Sequence, residues 1–193
     1  YEIEHIADHE QRVWLRRMIE ASEHRVPLDT DEQLDLLDRL IEVEAFERFV
    51  RRAYLSQKQF SIEGLDIMVP MVDLLVEAAA EGGAHEVVVG MAHRGRLNVL
   101  AHVLGVPYDK VLRYFEAESR VVEGTLVRGG GTGDVKYHMG ASTIVETTAG
   151  AIDVTLMPNP SHLEIVNPVG GGRTRASQSL RRGRELTHDG SAA

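Results

Sequence analysis

The chain has 193 residues, which is enough for a domain with its own hydrophobic core. Its 21 basic and 30 acidic residues give a formal net charge of -9, which argues against a general nucleic-acid-binding surface. Because the chain has no cysteine, we expect neither disulfides nor thiolate metal sites. Because it has no apolar run of about 20 residues, we expect no membrane span. The acidic N-terminal residues lack the order of a signal peptide and an initiator methionine, so we expect a cytoplasmic chain or a part of one.

The N-terminal residues show the periodicity of amphipathic helices. Apolar residues recur at helical spacing over residues 8–22 and again over residues 33–52. Thr30 and Gln33 have the spacing of a capping box at the start of the second helix. We interpret residues 1–55 as a helical segment that packs on the rest of the chain, in preference to a docking arm. The apolar stripe of the second helix is predicted to comprise Leu34, Leu37, Leu40, Ile41 and Phe46.

Residues 56–193 alternate between helical and strand patterns, which is typical of an α/β domain. In β-strands alternate side chains face the same way, so we expect Ile152, Val154 and Leu156 to point into the core. Short apolar strands of this kind favour a mainly parallel sheet flanked by helices. Helices are predicted at 66–81, 96–104, 107–119 and 168–183, and strands at 86–90 and 152–157.

Residues 119–133 are rich in glycine and turn-forming residues, and we expect a long mobile loop there. A glycine-rich loop can also cradle phosphate groups through its backbone N–H groups. This segment lacks the terminal Lys-Ser/Thr pair of a P-loop and its strand-then-helix context. We therefore favour the mobile loop over a phosphate-binding loop.

Three polar clusters follow the predicted strands or the glycine-rich loop. They are residues 93–96 (HRGR), 136–138 (KYH) and 159–162 (NPSH). Loops at the carboxyl ends of strands in open α/β sheets can meet at one crevice. Because arginine, lysine and histidine donate hydrogen bonds and acidic residues are few, the predicted ligand is an anion. A three-histidine metal site is disfavoured, because the spacing of the histidines differs from that of common zinc motifs.

Four sequence strings indicate a particular protein family more specifically than the anion-binding chemistry of the polar clusters does. They are FSIEGLDIMVP, GMAHRGRLNVLA, GTGDVKYHMGAS and NPSHLEIVNPV. Their order and spacing resemble the thiamine-diphosphate-dependent, decarboxylating component of the 2-oxoglutarate dehydrogenase complex. The resemblance runs from residue 8 to the end of the chain and implies a partial thiamine-diphosphate-binding fold. It also implies oxidative decarboxylation of 2-oxoglutarate in the tricarboxylic acid cycle. The succinyl group would then pass to a lipoyl group on the second enzyme of the complex.

The resemblance implies roles for residues in three of these strings. His93 and His138 would hold the carboxylates of the substrate and assist proton transfer, so they are the expected catalytic residues. Arg94 would lie at thiamine diphosphate. Ser161 and Leu163 would line a wall that the cofactor and the substrate share.

The resemblance is incomplete toward the end of the sequence. The segments that bind Mg²⁺ and the diphosphate in this family would follow residue 193, and the half of the fold that binds the pyrimidine ring is absent. In this family the cofactor lies between domains and between the subunits of a homodimer. We therefore expect the 193-residue chain to be an inactive fragment of an enzyme. A bacterial cytoplasmic origin is favoured over the mitochondrial matrix of a eukaryote.

Two alternatives to this function stay open. A related dehydrogenase that acts on 2-oxoadipate would have the same motifs, whereas the paired histidines disfavour pyruvate, which has no second carboxylate. The chain could also be a truncated, non-catalytic interaction or scaffold domain.

Overall fold

The structure, a computed structural model, describes residues 1–55, 57–116, 121–122, 125–126 and 134–189. The chain divides into two compact units, residues 1–37 and residues 38–193, and the predicted α/β class is confirmed. None of the described helices is both long enough and apolar enough to cross a membrane. In chain order the elements are α1 (His9–Glu20), α2 (Thr30–Ala53), α3 (Met68–Glu81), β1 (Glu86–Val89), α4 (Arg96–Asn98) with a π-helical continuation (Val99–Val103), α5 (Tyr108–Glu116), β2 (Val121–Val122), β3 (Thr125–Leu126), a 3-10 turn (Val135–His138), β4 (Ala141–Thr147), β5 (Gly150–Leu156) and α6 (Leu163–Asp189).

Helix α1 of the first unit begins at a side-chain cap. A carboxylate oxygen of Asp8 accepts a hydrogen bond from the N–H of Gln11 at 2.9 Å. This bond satisfies a donor that has no partner within the helix itself. The helix predicted over residues 8–22 is therefore confirmed.

Helix α2 starts with a capping box one residue earlier than the predicted pair of Thr30 and Gln33. The Asp29 side chain accepts from the N–H of Glu32 at 2.9 Å, and the Glu32 carboxylate accepts from the N–H of Asp29 at 2.8 Å. The prediction is wrong by one residue because Asp29 is also a good cap, with a glutamate three positions further on.

The predicted apolar stripe of α2 is only partly buried. Leu34, Leu37 and Ile41 each leave about half of their surface exposed, so they are not core residues of the described chain. The α2 side chains that belong to the core are Val43, Phe46 and Val50. Only Phe46 of the predicted stripe is fully buried, and the buried face of α2 lies in its second half.

The sheet of the second unit is mixed. Its strand order is β1-β5-β4, with β1 parallel to β5 and β4 antiparallel to β5. This corrects the prediction of a mainly parallel sheet. The reason is that β4 and β5 form a hairpin, and antiparallel neighbours need no crossover helix. The strands predicted at 86–90 and 152–157 are confirmed, whereas β4 was not predicted.

The core lies between this sheet and the helices on one of its faces. Ile152, Val154 and Leu156 are each at most 1% exposed, so the predicted inward alternation of β5 is confirmed. Helix α3 packs against β4, β5 and the π-helical segment. The helix predicted at 96–104 is confirmed, although its second half has π-helical hydrogen bonding.

Helix α6 begins at Leu163, whereas the prediction placed its start at Pro168. Pro168 lies inside the helix, where it removes one backbone hydrogen bond. The side chain of Val166 is buried against the end of β1, where Gly90 has no side chain: a Cβ there would lie 2.6 Å from Val166 Cγ1. The predicted start is thus five residues too late, because the burial of Val166 is a contact with a distant part of the chain that no local pattern shows.

The predicted glycine-rich loop at 119–133 lies outside the described residues, except for β2 and β3. These two short strands pair with each other in antiparallel fashion. The helix predicted at 107–119 is confirmed as α5 over its described part.

Candidate functional site

Three strand ends lie side by side at one edge of the sheet. The register places Val89 of β1 and Ala141 of β4 on either side of Leu156 of β5. The carboxyl ends of β1 and β5 therefore lie next to the amino end of β4. The loops that extend from these ends contain the three polar clusters predicted from the sequence.

His93 and His138 contact each other between these loops, with their Nε2 atoms 3.3 Å apart. The Nδ1 atom of His138 lies 2.8 Å from the carbonyl oxygen of Asn159. Because a carbonyl oxygen only accepts, Nδ1 of His138 has the proton, and its Nε2 is bare when the ring is neutral. This bare nitrogen accepts a hydrogen bond from the Nε2–H of His93. The contact between the two Nε2 atoms is therefore occupied by a single proton, which belongs to His93.

The electrostatics of the pair depend on burial and on the second ring. Burial first, and then repulsion from His138, lowers the pKa of His93 below its ordinary value of 6.5. His93 is consequently neutral at neutral pH. A bound anion would oppose both effects, because negative charge favours the protonated imidazole.

An aromatic frame fixes the ring of His93. The Phe60 ring stacks on it with a centroid distance of 4.6 Å and an interplanar angle of 20°. The hydroxyl of Tyr137 accepts from the N–H of Phe60 at 3.0 Å. Burial raises the pKa of Tyr137 to about 12, so this hydroxyl stays protonated. Phe60 was not predicted as a site residue, and its position in the first of the four strings is the signal that points to it.

Asn159 organises the loop after β5. Its side chain donates to the carbonyl oxygen of Tyr137 at 3.1 Å and accepts from the N–H of Ser161 at 2.8 Å. Ser161 has left-handed backbone with a φ of 77°, and its Oγ lies 3.5 Å from Nε2 of His138. Such a conformation costs a non-glycine residue about 1–2 kcal/mol, and backbone of this kind clusters at functional sites. The structure therefore brings together His93, His138 and Ser161.

The structure places the other two predicted site residues, Arg94 and Leu163, at exposed positions. The guanidinium of Arg94 donates to the carbonyl oxygen of Ser61 at 2.5 Å. Leu163 is the first residue of α6, and its side chain is 70% exposed. Lys136, from the second polar cluster, is buried and donates to the side-chain oxygen of Gln57 at 3.1 Å.

The accessible groups around the histidine pair are mostly donors. They include the imidazole N–H of His93 and the hydroxyl of Ser161, and Arg94, the residue after His93, adds an exposed guanidinium. The nearby carboxylate of Asp134 pairs with Lys58 at 3.0 Å. Among the described residues, no group of three or more histidine and carboxylate side chains is arranged to hold a metal ion. This donor set suits an anionic ligand.

Comparison with known proteins gives the site a context. Over 182 residues, or 94% of this chain, the sequence is 47% identical to the 2-oxoglutarate dehydrogenase E1 component of Bacillus mycoides (strain KBAB4). Proteins of the same name from Bacillus cereus (strain AH187) and Bacillus anthracis (strain A0248) match with the same identity and length. The chain spans 19% of the length of each of these relatives. The resemblance inferred from the four strings is thus confirmed, while no family model matches the chain.

Proposed function

We propose that this chain is the part of a 2-oxoglutarate dehydrogenase E1 component at which the substrate and thiamine diphosphate meet. The observation that supports this most directly is the pairing of His93 and His138 at the strand ends, beside Ser161. The relatives with this name share 47% of the aligned residues. Because the chain spans 19% of their length, the activity of the whole protein belongs to the proposal.

The donor set fits both anions of this reaction. Thiamine diphosphate, when bound, supplies the electron sink for decarboxylation. Arg94 is the residue that would hold the cofactor, and its exposed guanidinium suits an anionic group. Ser161 and Leu163 would line the wall between cofactor and substrate, with an exposed hydroxyl and an exposed apolar side chain. Mg²⁺ would be bound by ligands outside these 193 residues.

Each of the two histidines would bind the substrate through its Nε2 atom. His93 donates from Nε2 to one carboxylate oxygen of the substrate. His138 would donate from its Nε2 to the substrate while its Nδ1 stays bonded to Asn159. The negative charge of the substrate would offset the repulsion between the two rings.

The proposal includes the assembly that this enzyme class implies. Residues 1–55 would form a helical segment, and residues 56–193 would form one part of a thiamine-diphosphate-binding domain. The enzyme would be a homodimer in the cytoplasm. The succinyl group would pass to a lipoyl group on a second enzyme of the complex.

Steady-state kinetics of the full-length enzyme test the roles of the histidines. His93→Ala and His138→Ala each remove the side-chain donor of a hydrogen bond to a charged carboxylate. Such bonds contribute about 1.5–3 kcal/mol, so kcat/KM for 2-oxoglutarate should fall roughly 10- to 150-fold. His85→Ala is the matched control, because His85 is exposed and lies just before the other end of β1. Its kcat/KM should stay at the parent value.

Two further measurements separate the roles within the site. Arg94→Ala should raise the Kd for thiamine diphosphate by a larger factor than it raises the Michaelis constant for the substrate. A comparison between 2-oxoglutarate and 2-oxoadipate as substrates measures the chain-length preference directly. If both histidine variants keep the parent kcat/KM and lose only thermal stability, the pair is structural and the proposed function is wrong.

A further inference from the structure

Arg96 is fully buried, and its guanidinium donates to three backbone carbonyl oxygens. Nε donates to Met139 at 2.7 Å and Nη1 donates to Met91 at 2.8 Å. Nη2 donates to Met157. All three sides of the guanidinium fork are therefore bound to backbone, and none of these acceptors is a carboxylate.

Each of these carbonyls belongs to a different loop of the site. Met91 lies between β1 and His93, Met139 directly follows His138, and Met157 directly follows β5. One side chain thus connects the segments that hold both histidines and the loop of Ser161. The spacing between the two imidazole rings depends on how these loops are held together.

Arginine is suited to this connection by its shape. Its donors point in fixed directions within one plane, whereas the ammonium group of a lysine is a point charge on a flexible stem. Burial lowers the pKa of Arg96 to about 10, so the group is still protonated at neutral pH. A buried cation is expensive unless its donors are satisfied, and the three carbonyls satisfy them. An apolar residue would fill the space without this desolvation cost, which favours a geometric role.

We propose that Arg96 is the positioning residue of this site, because its guanidinium ties three loops together and so sets the spacing between His93 and His138. The identity of the ligand, a 2-oxo dicarboxylate, rests on the proposed function. The spacing itself is a property of this chain and can be measured without any ligand.

The test is nitrogen NMR of the histidines in the full 193-residue chain, with Arg96→Lys compared with the parent. Lysine keeps the charge but cannot hold three carbonyls in one plane. In the parent, His138 should be found mainly as its Nδ1–H tautomer, as its bond to Asn159 requires. In Arg96→Lys, the ratio of that tautomer to the Nε2–H form should fall about tenfold, which corresponds to about 1.4 kcal/mol.

Val69→Ala is the matched control for a general loss of stability. Val69 is fully buried in α3 and belongs to the hydrophobic core, so its truncation destabilises the chain without removing any bond of the guanidinium. It should keep the parent tautomer ratio. A parent-like ratio in Arg96→Lys, or an equal change in Val69→Ala, would overturn the positioning role.

A measurement on the parent decides the question if Arg96→Lys does not fold. The Nε–H of a guanidinium bonded to a buried carbonyl should exchange slowly with water, and rapid exchange would overturn the proposal.

Kinetics of the full-length enzyme separate this inference from the proposed function. If Arg96→Lys changes the tautomer ratio of His138 but the full-length enzyme with the same substitution turns over 2-oxoglutarate at the parent rate, the positioning role is overturned. A parent enzyme that does not turn over 2-oxoglutarate overturns the proposed function alone.

Discussion

His93 and His138 face each other through their Nε2 atoms at 3.3 Å, although they belong to loops of different strands. With Nδ1 of His138 bonded to Asn159, this contact accommodates a single proton. A second proton on these facing atoms would set two N–H groups against each other, which is unfavourable without an acceptor between them. The protonation of His93 is therefore coupled both to folding and to the binding of an anion.

We expect His93→Gln to remove part of the pH dependence of unfolding. The pKa of His93 is lowered by burial and by His138, so the unfolded chain takes up this proton at a higher pH than the folded chain. The contribution of His93 to stability is complete above pH 6.5 and is lost as the pH falls toward its lower folded-state pKa. Urea unfolding of parent and variant at a series of pH values measures this effect.

As the pH falls below 6.5, the unfolding free energy of the parent should decrease more than that of His93→Gln. His102, whose pKa is also lowered by burial, is present in both proteins, so its contribution cancels. A difference that does not vary with pH would mean that His93 titrates alike in the folded and unfolded chains.

Gly140 allows the start of β4 to lie against the end of β5. A Cβ at this position would lie 2.7 Å from the carbonyl oxygen of Leu156 and 2.7 Å from the nitrogen of Pro158, so backbone has to move. Overpacking typically costs about 1–3 kcal/mol, and we expect Gly140→Ala to lower the unfolding free energy by about that amount. Gly172→Ala is the control, because a Cβ there meets no atom within 4 Å.

The control should behave in the opposite way. Gly172 lies inside α6, where alanine is favoured over glycine by about 1 kcal/mol. Gly172→Ala should therefore keep or slightly raise the unfolding free energy measured by circular dichroism in urea. Equal effects of the two substitutions would show that the close approach at Gly140 is relieved without cost.

The strands show which parts of the fold could be predicted. In β5 the inward positions are aliphatic and the intervening ones are polar, so the alternation is visible in the sequence. In β4 the apolar Ile144 points outward and is 63% exposed, while the half-buried positions include Thr143 and Thr147. The pattern that marks a half-buried strand is thus missing from β4, and with it the signal for a mixed sheet.

The candidate site was predictable to the extent that it lies in local strings. His93, His138 and Ser161 were found because each lies in one of the four strings that carry the resemblance. The acceptors of Arg96 and the stacking of Phe60 on His93 are contacts between segments that are distant in the chain. No local pattern specifies them, and only the register of the three strands shows that these loops meet.

Arg39 links α2 to α3 and to the helix that follows β1. Its Nε and Nη2 atoms donate to the two carboxylate oxygens of Asp73 at 2.7 and 3.1 Å, and Nη2 also donates to the carbonyl oxygen of His102. Hydrogen bonds to charged groups contribute about 1.5–3 kcal/mol. The pair is partly exposed, so we expect Arg39→Ala to cost about 1.5 kcal/mol, near the lower end of that range.

Arg113 provides the matched control for this ion pair. It bonds to Asp109 one turn away on α5, and both side chains are more than 60% exposed. Such a pair contributes about 0.3–0.5 kcal/mol, so Arg113→Ala should have little effect on urea unfolding. Equal losses in Arg39→Ala and Arg113→Ala would show that the link between the helices adds nothing beyond surface charge.

Ser161 combines a left-handed backbone with a hydroxyl beside His138, and two substitutions separate these features. Ser161→Ala and Ser161→Gly both remove the hydroxyl, but only glycine relieves the cost of the positive φ. That cost is about 1–2 kcal/mol, offset by about 0.5–1 kcal/mol because glycine is freer in the unfolded chain. We therefore expect Ser161→Gly to be more stable than Ser161→Ala by about 0.5–1 kcal/mol.

If the hydroxyl binds the substrate, both variants of the full-length enzyme should have the same raised Michaelis constant for 2-oxoglutarate. A parent-like constant in Ser161→Ala together with a raised one in Ser161→Gly would assign the role to the rigid backbone and remove the hydroxyl from the site.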